Sequence, residues 1–229
     1  MKHARVVVVL VSIALLAGCA TAPQAQPAPS ATATATMPSP TPTPTPEPEA
    51  TTIVVGGRSA IITDQHGAVM FEVVYSAPDP ATIETITALL GVDPTYEELR
   101  RGAATDAFAG TVYTWDGFSI AWSGRWEDEP GSGRPRLFVS ANTASASGVA
   151  VQTPDGLAVG QEGDLLARFP DSSRADQLRD GTMFAQAWLN CIPIPSDFPN
   201  AADCAGIATN PADGPITSIF APYELNHGL

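Results

Sequence analysis

The sequence predicts an α+β fold: an antiparallel sheet with two helical hairpins packed on one face, placed after a disordered linker. Short β-branched and aromatic segments between turn residues predict the sheet. Two pairs of helical patterns, about 80 residues apart, each precede an aromatic strand, which indicates a tandem repeat. Residues 19–50 are rich in Pro, Thr and Ala and have too few large apolar side chains to form a core, so the globular domain is expected at 51–229.

Turn and capping residues mark the first strands and the first helix. The expected strands here are 53–55, 59–63 and 69–75, the last two joined by the turn cluster Asp64–Gly67. Asp79 is suited to cap a helix over 79–90, which has one apolar face and ends before Gly91.

A second hairpin is expected around Asp116-Gly117, a dipeptide whose tolerance of positive φ suits a type I′ turn. Such a turn places opposite each other Trp115 and Phe118, Tyr113 and Ile120, and Thr111 and Trp122. The bulky side chains then share one face, which predicts that they pack in the core. An exposed platform that stacks on a sugar or a peptide is the alternative.

Three further helical patterns complete the two predicted helical hairpins. The segment Thr95–Glu98 fits a capping box at the start of a helix over 95–101. The other two helices are expected at 162–169 and 173–179. Later strands are expected at 137–140, 149–152, 184–188 and 215–222, which gives repeat units of about 76–155 and 156–222.

The chain begins with the features of a secretory signal. Basic residues at positions 2 and 5 precede an apolar segment, 6–16, that is too short to favour a membrane-spanning helix. The sequence Leu16-Ala17-Gly18-Cys19 resembles the lipobox of bacterial lipoproteins. The resemblance implies a signal peptide at 1–18, cleavage before Cys19 and attachment of acyl chains such as palmitate to Cys19. The protein is then lipid-anchored at the extracytoplasmic face of the cell membrane. An ordinary cleaved signal with an incidental cysteine is the alternative.

The Pro-rich tract predicts a spacer between the anchor and the domain. Its alternating Thr-Pro sequence, 38–46, favours polyproline II, which has no internal hydrogen bonds. At about 3.1 Å per residue the tract would extend up to about 95 Å from the membrane.

The charge composition restricts the partners. The chain has 11 basic and 24 acidic residues, a net charge of −13, and Lys2 is its only lysine. Such a surface lacks the basic patch of a nucleic-acid-binding protein and favours basic or neutral partners, among them an exported or envelope protein. Acidity that only keeps an exported protein soluble is the alternative. No cofactor motif and no metal-ligand spacing is present in the sequence.

The cysteines divide by position. With Cys19 assigned to lipid, Cys191 and Cys204 are expected to form a disulfide, because exported proteins meet an oxidising environment. The bond would close a Pro-rich loop without hydrophobic periodicity.

The stretch Gly156–Phe169 resembles the entry of BamE/SmpA-type outer-membrane lipoproteins, in which a strand and a glycine precede a short helix. A tandem of such units is similar to the β-lactamase inhibitory protein fold. The lipobox, the Thr/Pro linker and the acidic domain together resemble actinobacterial surface lipoproteins. These resemblances imply a binding role rather than a catalytic one and name no partner; the N-terminal hairpin and the Cys191–Cys204 loop depart from them.

Two functions remain open from the sequence. The first is a non-enzymatic binding domain, for which Trp126 is the best candidate for an exposed aromatic, with Arg125, Glu127 and Asp128 beside it. The second is a cell-envelope hydrolase that uses loop carboxylates such as Glu127 and Asp128. A serine nucleophile is disfavoured, because Ser119 lies inside a predicted strand rather than at a strand-to-helix turn. No catalytic residue is therefore assigned.

Overall fold

The computed structural model describes residues 47–99, 110–123, 137–193 and 202–224. In this part of the chain two short helices accompany the strands. The helices are α1 (Thr82–Leu90) and α2 (Leu165–Arg168). The strands are β1 (Ala50–Val55), β2 (Ser59–Asp64), β3 (Val69–Val74), β4 (Thr95–Leu99), β5 (Gly110–Trp115), β6 (Phe118–Ser123), β7 (Leu137–Ala141), β8 (Ser145–Ala146), β9 (Val149–Gln152), β10 (Ser173–Gln177), β11 (Met183–Pro193), β12 (Ala202–Thr209) and β13 (Ile216–Glu224).

The strands form two sheets. The small sheet has five strands in the order β3-β2-β1-β9-β8, and its β1–β9 pair is parallel. The large sheet has eight strands in the order β10-β11-β12-β13-β7-β6-β5-β4 and is antiparallel throughout. Its halves, β4–β7 and β10–β13, are two antiparallel meanders that meet at the β7–β13 pair, and each meander follows one helix in the chain.

One hydrophobic core joins the small sheet, both helices and one face of the large sheet, which we call the inner face. The small sheet contributes Ile53 and Ile62, and α1 contributes Ile86. From the inner face of the large sheet come Trp115, Phe118, Ile120, Val139, Ala187, Ile207 and Ile219. The indole Nε1–H of Trp115 donates to the Thr87 hydroxyl on α1 at 3.3 Å, so the buried indole nitrogen has a partner.

The predicted α+β class is wrong: the protein is mostly β, and the described residues contain no helical hairpin. Residues 95–99 and 173–177 were expected to be helical but are the edge strands β4 and β10 of the large sheet. The capping-box pattern of Thr95–Glu98 is a local signal, and pairing with β5 overrides it. The helix expected at 162–169 is reduced to α2, with Asp164 capping its N-terminus through a 3.1 Å bond from the amide of Ala167.

Other local predictions are confirmed. The turn of the second hairpin has positive φ at Asp116 and Gly117, and its strands pair in the predicted register. Helix α1 ends at Gly91, which has a left-handed φ of 67°. The later strands 137–140, 149–152 and 184–188 lie within β7, β9 and β11. Within the described ranges, no helix is long and apolar enough to cross a bilayer.

Candidate functional site

The residues predicted to bind a partner lie outside the part of the chain that the structure describes. These are Arg125, Trp126, Glu127 and Asp128, together with the predicted lipidation site Cys19. The binding surface expected around Trp126, and the loop carboxylates of the hydrolase alternative, therefore stay predictions.

The aromatic hairpin expected in the core is confirmed there. Trp115 and Phe118 are each 1% exposed, and their ring centroids lie 6.3 Å apart. Tyr113 and Trp122 are half-buried and pack against the same core. This hairpin therefore supports the fold and is not an exposed stacking platform. Ser119 lies within β6 as expected, with its hydroxyl oxygen 2.9 Å from that of Thr114.

The expected disulfide joins Cys191 of β11 to Cys204 of β12. Cys204 is buried and Cys191 is exposed. On its other side, Cys204 is paired in register with Tyr223 of β13. The bond thus fixes the end of the β11–β12 hairpin next to an aromatic side chain.

The second face of the large sheet, which we call the outer face, is a broad candidate surface. Six residues on adjacent strands are successive cross-strand partners on this face: Trp188, Gly206, Phe220, Ser140, Ser119 and Thr114. The described elements outside this sheet all contribute residues to the core on the inner face. The outer face therefore carries small and aromatic side chains outside that core.

Three aromatic side chains form a cluster on the outer face. The rings of Trp188 and Tyr223 are stacked, with centroids 6.2 Å apart and an interplanar angle of 13°. Phe220 meets Tyr223 edge to face at 5.6 Å. All three side chains are half-buried, so each retains exposed surface. We call Trp188, Phe220 and Tyr223 the aromatic cluster.

The aromatic cluster depends on a glycine and on a β-bulge. The Phe220 ring lies directly over Gly206, where even a methyl group would overlap it. Between the pairs Gly206–Phe220 and Cys204–Tyr223, strand β13 has one residue more than β12. Such a bulge interrupts strict alternation, and it brings Tyr223 to the same face as Phe220.

Polar contacts hold the disulfide end of β11 and β12 against loops of the small sheet. The Arg58 guanidinium donates to the Asp203 carboxylate at 3.3 Å and to the Pro193 carbonyl at 2.6 Å. Asn190 donates to the Asp155 carboxylate at 2.9 Å. These contacts, together with the disulfide, restrict the strand ends beside the aromatic cluster.

Shifted pKa values are found for Asp64 at the end of β2 and for Tyr75 directly after β3, neither of which belongs to the aromatic cluster. Backbone N–H groups of Ala68 and His66, each 2.8 Å from the Asp64 carboxylate, lower the pKa of that carboxyl. Burial raises the pKa of the Tyr75 hydroxyl well above its ordinary value. No cluster of three or more His, Cys, Asp or Glu residues among the described ones could hold a metal ion.

Neither a family model, a curated protein nor a solved structure matches this chain. The geometry of the outer face is thus the main guide to function. The sequence predicts a strand at 184–188, which contains Trp188, but it does not indicate the cluster. The available signal was the spacing of aromatics in β13, and it becomes informative only once the bulge is known.

Proposed function

We propose that this protein is an exported, lipid-anchored binding module that holds a folded protein partner on the outer face of its large sheet. The observation that carries the proposal is the aromatic cluster on a broad sheet face, outside the core that joins the two sheets. Tyr and Trp are enriched at the energetic centres of protein interfaces, because they bury a large apolar area and keep a polar end.

The size of the outer face favours a protein partner over a small ligand. Eight strands about 4.8 Å apart span roughly 34 Å, and five or six residues along a strand add about 18 Å. The product, about 600 Å², approaches the roughly 800 Å² per partner of a standard protein–protein interface. Small ligands instead favour concave pockets that enclose most of their surface.

The N-terminal sequence supports the anchored location. A lipobox ending at Cys19 and a Pro-rich spacer are typical of proteins held at a distance from the extracytoplasmic membrane surface. We expect a Cys19→Ser variant to leave the membrane fraction, because the acyl chains that would anchor the protein are attached to Cys19. An unchanged membrane fraction would contradict the anchor and leave the outer-face proposal open to its own test.

The outer face is tested by site-specific photocrosslinking in intact cells. A photoreactive amino acid replaces Ser140, which is exposed at the centre of the outer face, or Ser218, which lies one strand away on the same face. The matched control position is Glu72, which is exposed on β3 of the small sheet. We expect both outer-face positions to crosslink to the same exported protein and the control position not to do so.

A second variant links the adduct to the aromatic cluster. Phe220→Ala in the Ser140-labelled protein should reduce the yield of the same adduct, with the far-UV circular dichroism unchanged. Equal adducts from Glu72 and Ser140, or no protein adduct together with turnover of cell-wall glycan, would refute the proposal in favour of nonspecific contact or of a hydrolase.

A further inference from the structure

Strand β4 forms one edge of the large sheet, and none of its described side chains belongs to the core. Its side chains from Thr95 to Glu98 are all exposed. Tyr96 is 72% exposed, the highest value among the large apolar side chains that the structure describes. The strand is therefore held in the sheet by backbone pairing with β5 rather than by burial.

The side of β4 away from β5 faces no other described strand. Among the described residues β5 is its only strand neighbour, so the backbone donors and acceptors on its other side have no strand partner. A row of such groups is a template for another extended chain. Two glutamates, Glu97 and Glu98, lie within this strand, and neither has an ion-pair partner in the described part of the chain.

The other edges of the two sheets differ from β4. At the opposite edge of the large sheet, β10 carries an Arg174–Asp176 ion pair of 2.8 Å, which neutralises its charge. Strand β8 has only two residues. Strand β3 has one carboxylate, Glu72, among apolar residues. Only β4, of the described edges, combines a largely exposed aromatic with two adjacent carboxylates.

We propose that β4 binds an extended basic segment of a partner protein by strand addition. Successive residues of a strand point to opposite faces, so Glu97 lies on the outer face and Glu98 on the inner face of the large sheet. The complementary segment then carries two adjacent basic residues, one for each face. Tyr96, on the inner face, contacts the apolar stem of a neighbouring side chain or stacks on a guanidinium.

Charge favours a basic segment at this edge. Glu97 and Glu98 are adjacent exposed carboxylates without an ion-pair partner in the described part of the chain, and opposite charges across a strand pair are stabilising. The net charge of −13 likewise favours a basic segment at the encounter stage. This proposal concerns the edge of the sheet and does not depend on binding at the outer face.

The test uses the full-length chain and a fluorescent eight-residue peptide of β-branched residues with a central Arg-Lys pair. A second peptide has the same side chains but N-methyl groups on alternate amides, which removes the backbone hydrogen bonds of one edge. We expect the first peptide to bind and the N-methylated peptide to bind about tenfold more weakly or less. Bound peptide should also slow the hydrogen exchange of amides in β4.

The charge contribution is measured with a matched pair of double variants. Glu97→Gln with Glu98→Gln should weaken peptide binding about tenfold and reduce its salt dependence. Glu72→Gln with Glu84→Gln removes two exposed charges elsewhere and should leave binding within about twofold. Absence of peptide binding, equal binding of the N-methylated peptide, or equal loss in both double variants would overturn the proposal. Because all four glutamates are exposed, unchanged thermal unfolding confirms that the variants fold.

Discussion

Removing the Cys191–Cys204 disulfide tests whether the bond holds the strands of the aromatic cluster. The two cysteines are 13 residues apart, and a cross-link of that span removes chain entropy from the unfolded state worth about 3 kcal/mol. For a urea m-value of about 2–3 kcal/mol/M, typical of a domain this large, the unfolding midpoint should fall by about 1–1.5 M. The variant is Cys191→Ala with Cys204→Ala, because alanine leaves no buried hydroxyl at position 204.

The same variant should alter the stacking of Trp188 on Tyr223. Trp188 lies three residues before Cys191, and Tyr223 is paired with Cys204, so loss of the bond loosens both sides of the stack. Near-UV circular dichroism should weaken, whereas the far-UV spectrum should persist. Reductant provides the control: it should lower the stability of the wild type to that of the variant and leave the variant unchanged. A stability loss below about 1 kcal/mol with an unchanged near-UV spectrum would refute the reasoning.

Three further changes test the fold and its charged groups. Gly117→Ala should lower the free energy of urea unfolding by about 1–3 kcal/mol, because residue 117 has a φ of +87° and a methyl group there would lie 2.5 Å from the Asn142 side chain. An unchanged unfolding midpoint would contradict the turn. Above about pH 10 the wild type should lose stability, because the pKa of Tyr75 is raised in the native state and only the unfolded state ionises there. Tyr75→Phe should remove this loss. An identical dependence of stability on alkaline pH in both proteins would contradict this. Below about pH 4 the wild type should lose stability, because the pKa of Asp64 is lowered in the native state and the native carboxylate resists protonation. Asp64→Ala should remove this loss, as measured by urea midpoints across pH 2–7. Parallel pH profiles of the midpoints in the two proteins would contradict the assignment.

The predictable part of this fold is the part with short-range chemical signals. Asp116-Gly117 fixes a two-residue turn, and the turn fixes the register of β5 and β6, so the burial of Trp115 follows from the sequence. Gly91 likewise ends α1 by adopting a conformation that other residues rarely adopt. In both cases one or two residues determine the local geometry.

The two helical hairpins failed as predictions because edge strands carry a weak pattern. In β4 no described side chain is buried, and in β10 the charged residues Arg174 and Asp176 occur in an exposed strand. A strand without a buried face lacks the alternation of apolar and polar residues that distinguishes it from a helix. Its conformation is determined by the neighbouring strand, β5 or β11, that supplies its hydrogen bonds.

The aromatic cluster was beyond sequence reasoning for a different reason. In an unbroken strand Phe220 and Tyr223, three residues apart, point to opposite faces, so simple alternation would place Tyr223 against the core. The extra residue in β13 reverses that orientation, and it lies opposite the segment from Cys204 to Gly206 of β12. Gly206 leaves room for the Phe220 ring, and Cys204 cross-links β12 to β11. The bulge, the glycine and the disulfide lie on three adjacent strands and converge on one group of rings. Deleting Pro222 would remove the extra residue and leave Tyr223 two residues after Phe220, so strict alternation would keep both rings on the outer face. The near-UV circular dichroism of the Trp188–Tyr223 stack should therefore persist in that variant, and its loss would contradict the assigned register.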